Sequence, residues 1–130
     1  MDSFYLAAQF DLTLAELGQE LVRRGVTVEP REDITGGEYL LCRTSEEPAW
    51  EISKEEIQPT GVMDLEEIDV EHIRQLGFPS LFLISFRRLA FPGVKKGLVS
   101  VPQLAGSRVI DGDSSGTSYP IKEYRNQESP

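Results

Sequence analysis

Ten acids stand between positions 46 and 71: Glu46, Glu47, Glu51, Glu55, Glu56, Asp64, Glu66, Glu67, Asp69 and Glu71, with Lys54 the one base among them. Carboxylates at this density have three chemical uses. They ligate hard metal ions, they move protons as acids and bases, or they present a negative field to a cationic partner. For a metal, Glu67 and Glu71 are four apart and share a helix face, while Asp69 and His72 are three apart. Neither HExxH nor EF-hand spacing occurs. One Cys and one His exclude the usual Cys/His zinc sites. No metal and no cofactor is expected.

Nucleophilic chemistry has few candidates. Cys42 with His72 is the one cysteine–histidine pair that the composition permits. Cys42 lies in the apolar run EYLLCRT, where a buried and inert thiol is expected. Gly112-Asp-Ser-Ser-Gly116 resembles the GDSGG of trypsin-like proteases and departs from it at Ser115. The likeness covers five residues, and the flanks VID and TSYP lack the strand and helix that would hold a serine on a strained turn. No phosphate-cradling glycine motif occurs. Arg87, Arg88, Lys95 and Lys96 are read as a solvated strand edge. No catalytic residue is assigned, and a small enzyme using His72 is the least favoured reading.

The acids fit an interface better. Helix starts account for Glu55 and Glu56 after Ser53, and for Asp64, Glu66 and Glu67. Glu46, Glu47 and Glu51 have no such explanation, and they surround Trp50, the only tryptophan. An aromatic anchor ringed by charge is the make-up of a binding hot spot. The expected partner-binding set is therefore Glu46, Glu47, Trp50, Glu51, Glu55, Glu56, Asp64, Glu66, Glu67 and Glu71.

Charge is lopsided along the chain. Residues 1–75 hold 18 acids against 6 Lys/Arg, a net of −12, and residues 76–130 hold 4 against 7, a net of +3. Such a field repels nucleic acid and anionic membranes and attracts basic proteins. The expected partner is a basic protein, with no nucleic acid and no membrane. The expected function is an acidic binding module, most concretely an inhibitor, immunity protein or antitoxin that occludes a basic, nuclease-like toxin. The alternative is a ferredoxin-like accessory or ligand-sensing domain that self-associates.

These residues need elements to position them. Residues 3–11 alternate Phe4, Leu6, Ala8 and Phe10 with polar and small residues, which predicts a strand. Thr13-Leu-Ala-Glu16 is a capping box, and Gly25 closes the helix that follows. Short strands are expected at 26–29, stopped by Pro30, and at 38–44 after the Gly36-Gly37 turn. Ser53-Lys-Glu-Glu56 and Asp64-Leu-Glu-Glu67 are further capping boxes. The second opens a helix to Leu76, with Gly77 as its stop and Asp69 awkwardly on the apolar face. Residues 80–87 are apolar on both sides, which predicts a central strand.

The order is βαββαβ, that of a ferredoxin-like α+β two-layer sandwich. A further strand or helix is expected near 97–101. Residues 1–106 are expected to form one domain, and 107–130 a mobile Ser/Gly/Pro-rich tail. The N-terminal MDSFYLAAQFDLT carries Asp2 and no basic flank, so it does not read as a signal peptide. The longest apolar run is too short to span a bilayer. A single cysteine fits a reducing compartment, and a cytoplasmic protein is expected.

Overall fold

A computed structural model describes residues 2–44, 48–56, 65–111 and 116–125. Among these described residues the frame is a seven-stranded open sheet flanked by three α-helices. In chain order the elements are β1 (Asp2–Ala8), α1 (Leu14–Arg23), β2 (Thr27–Glu32), β3 (Glu38–Arg43), β4 (Trp50–Glu55), α2 (Glu67–Leu76), β5 (Ser80–Phe86), α3 (Phe91–Val99), β6 (Arg108–Ile110) and β7 (Tyr119–Pro120). The strands lie in the order β2-β3-β4-β5-β1-β6-β7. Every neighbouring pair is antiparallel.

Period-two alternation sorts the side chains of β1. Phe4, Leu6 and Ala8 point to one face of the sheet, and Tyr5 and Ala7 to the other. The first face carries the larger core, closed by Leu17 and Leu21 of α1 and by Val94 and Leu98 of α3. The second face is covered by α2, whose Val70 and Ile73 pack on Tyr5, Ala7, Leu81 and Ile110. Strands β1 and β5 are thus buried on both faces, as the apolar run of β5 requires. Helices on opposite faces make three layers at the centre, where two were expected.

Local signals explain the start of α1 and the end of α2. Thr13 Oγ1 accepts the N–H of Glu16 at 3.0 Å, and Glu16 Oε1 accepts the N–H of Thr13 at 3.0 Å. These bonds hold the Glu16 carboxyl below its ordinary range. Helix α2 starts at Glu67 with Glu66 as N-cap and ends at Gly77, whose φ of 65° is the left-handed region that favours glycine. Asp64 lies outside the described residues.

Four expectations are corrected. Ser53-Lys-Glu-Glu56 starts no helix: Ser53, Lys54 and Glu55 lie in β4 and pair with Leu83, Phe82 and Leu81 of β5, while β3 pairs with the first half of β4, Trp50 to Ile52. The β5 ladder, the shorter β3 ladder and the burial of Trp50 and Ile52 outweigh a local capping match. This extra strand also breaks the βαββαβ order, so the elements do not follow the ferredoxin-like arrangement.

Strand β2 runs through Pro30 rather than stopping before it. Being terminal in the sheet, it has a free edge where a missing N–H costs no ladder bond. Finally, the 107–130 segment carries β6, which pairs with β1, and β7, which pairs with β6. Ile121 and Tyr124 are buried in the larger core. The boundary expected after residue 106 therefore falls inside the packed structure.

Candidate functional site

Alternation along β4 divides its residues between the two sheet faces. Trp50 and Ile52 enter the larger core, which turns Glu51, Ser53 and Glu55 to the opposite face. That is the face on which α2 lies. Because Val70 and Ile73 point down to the sheet, Glu67 and Glu71 point outward, and both are exposed with Glu66. Two sequence-distant acid groups, Glu51 and Glu55 on β4 and Glu66, Glu67 and Glu71 on α2, thus share one side of the sheet. Glu56, just past β4, is exposed. Glu46, Glu47 and Asp64 lie outside the described residues.

The acids have nearby counterions. Glu71 pairs with Arg74 at 3.9 Å. On β2 the exposed Arg31 pairs with Glu29 at 3.0 Å, and Arg43 on β3 is exposed. Lys54, by contrast, points to the other face, reaching Asp11 at 3.5 Å. Exposed pairs of this kind hold little energy, so the acids keep most of their field.

Trp50 is not the anchor expected of it. It is 1 % exposed and among the largest buried side chains. Its Nε1–H donates to Thr44 Oγ1 at 3.3 Å. A side chain enclosed on all sides cannot enter a partner's pocket, so the acidic face is without its expected aromatic centre.

Cys42 is fully buried. Burial pushes its thiol up to about 12, which leaves no thiolate near neutrality to act as a nucleophile. Among the described residues, no three His, Cys, Asp or Glu side chains converge as a metal site. Of the four basic residues read as a strand edge, Arg87, Arg88 and Lys96 are exposed, while Lys95 Nζ donates to the carbonyl of Tyr124 at 3.0 Å. Of the GDSSG segment only Gly116 is described.

His72 has partners that sequence reasoning did not find. Half-buried on the flank of α2, it places Nε2 2.9 Å from Ser118 Oγ. Arg108 Nε donates to the same Oγ at 3.0 Å, and Arg108 Nη2 donates to the carbonyl of Ser118 at 2.8 Å. Two residues earlier in the chain, the Gly116 N–H donates to Asp69 Oδ1 at 2.9 Å. An open groove of about 570 Å³ runs along this flank, lined by Glu67, Ile68, Glu71, His72, Gln75 and Gly116. His72 and Ser118 are 46 residues apart. No spacing rule reaches that far, and Ser118 sits in a stretch whose composition reads as tail.

No protein-family model, curated protein or solved structure matches the chain. Among the described residues, no helix is long and apolar enough to cross a membrane.

Proposed function

We propose that this protein is an acidic binding module that recognises a basic protein surface. The reading rests on one observation: Glu51 and Glu55 of β4 share a side of the sheet with the exposed Glu66, Glu67 and Glu71 of α2. A one-sided set of like charges costs self-repulsion, and a cationic partner relieves it. The most concrete form is an inhibitor of the immunity-protein or antitoxin kind. Its acids steer a basic, nuclease-like toxin and cover the cationic groove that would bind substrate. With Trp50 enclosed, affinity comes from charge and from backbone shape rather than an aromatic plug.

Assembly through sheet edges has less support. The free edge at β2 carries Pro30 among Glu29, Arg31 and Glu32, features that oppose strand-to-strand pairing.

The test is a low-salt pull-down from the native host with wild-type protein and with a variant carrying Glu51, Glu55, Glu67 and Glu71 as Gln. The expected result is one basic protein that wild type retains, that salt releases, and that associates about tenfold or more slowly with the folded variant. An association rate equal in the two proteins at low salt removes the reading.

A further inference from the structure

We propose that Ser118 is a nucleophile activated by His72, and that the groove along α2 admits an acyl ester to it. Glu67 and Glu71 of the acidic face also line this groove, but the test below reads Ser118 itself and needs no basic partner.

A serine hydroxyl offers one donor and two acceptor positions. Arg108 Nε occupies one acceptor of Ser118 Oγ at 3.0 Å, and Arg108 Nη2 holds the Ser118 carbonyl at 2.8 Å. The residue is thereby fixed at both side chain and backbone. When His72 Nε2 carries no proton, the O–H of Ser118 donates to it across 2.9 Å. That is the contact through which a general base withdraws a serine proton. The guanidinium beside Oγ favours withdrawal of its proton. Both residues are half-buried, and His72 and Gly116 line the open groove.

The chemistry balances with water as the one co-reactant. Oγ bonds to the ester's carbonyl carbon as its proton passes to His72 Nε2. The bond to the leaving alcohol breaks, and that oxygen takes the proton from His72. Water then gives a proton to Nε2 and bonds to the acyl carbon, and Oγ leaves and recovers the proton. Glu67 and Glu71 on the groove wall favour neutral or cationic esters over those bearing a carboxylate. Ile68 adds an apolar contact.

The test uses the full chain and a fluorophosphonate probe, which phosphonylates an activated serine with loss of fluoride. Sites and rates are read by peptide mass spectrometry. Three samples are compared: folded wild type, wild type unfolded in urea, and His72→Gln. Glutamine can hold a hydrogen bond to Ser118 but cannot accept its proton. The expected result is modification of Ser118 in the folded wild type, absent in urea and slowed about a hundredfold or more in His72→Gln. Ser118 unmodified in the folded wild type overturns the proposal without recourse to any variant. So does an equal rate in the folded and unfolded chains, or an equal rate in His72→Gln.

Discussion

Asp69, wholly buried in the first turn of α2, accepts the backbone N–H of Gly116 from 47 residues further along the chain, at 2.9 Å. An acid on the inner side of an amphipathic helix looks misplaced until this bond is counted. It joins the helix covering the second sheet face to the segment that carries β7 and Ser118. Removing the carboxylate leaves the half-buried Gly116 N–H without this acceptor, which costs up to about 1–3 kcal/mol. Asp69→Ala should lose stability in that range by urea unfolding. Asp69→Asn keeps an acceptor oxygen and should lose less. Equal losses in the two variants would mean that this hydrogen bond is not what the acid supplies.

Trp50 gives a direct optical check of which sheet face β4 buries. As the only tryptophan and 1 % exposed, it should emit at short wavelength and resist acrylamide quenching until the chain unfolds. Trp50→Ala should destabilise by about 3–5 kcal/mol through lost contacts and the cavity left behind. An exposed, readily quenched indole in the folded protein would return Trp50 to the surface role that its charged neighbours suggest.

What could be read from the chain depended on how far apart the interacting residues lie. The Thr13–Glu16 capping box and the Gly77 stop are set within a few residues, and both are found where the spacing puts them. The central place of β5 follows from its own two apolar sides. Strand β4 was hidden because Ser53 and Glu56 mimic a helix start. Its true determinants are the flanking ladders from β3 and β5, which no local window contains. The same limit hid the Ser118–His72 contact. It also made Ile121 and Tyr124 look like tail residues, since two apolar side chains amid Gly, Ser and Pro show no period. The acids were plain as a charge run, yet only the fold puts those of β4 and α2 on one side.

Packing between helix and sheet predicts a size limit at Gly97. A Cβ there would stand 3.4 Å from Val26 Cγ2 and 3.5 Å from Trp50 Cζ2. Alanine fits at ordinary contact, and it removes the helix penalty of glycine, about 0.8–1 kcal/mol. Gly97→Ala should therefore be neutral or stabilising. Gly97→Leu should cost about 1–3 kcal/mol by forcing α3 away from the indole. Thermal melts of the two variants decide this, and a well-tolerated leucine would mean that α3 does not seat closely on Trp50.

The buried thiol predicts a pH dependence with a definite sign. Burial raises Cys42 to about 12 in the folded chain, whereas a free thiol titrates near about 8.5. Between these values the unfolded chain releases a proton that the folded chain keeps. Stability attributable to Cys42 is thus complete below the unfolded value and falls as pH rises toward 12. By pH 10 the loss should be about 1–2 kcal/mol. Other groups titrate in this window, so the quantity to measure is the difference in urea-unfolding stability between wild type and Cys42→Ala at pH 7 and at pH 10. The alanine variant is destabilised by its cavity at both values, but the gap should narrow at the higher pH. A gap that does not change would place a free, water-reachable thiol at position 42, as would rapid reaction of the native protein with a disulfide reagent.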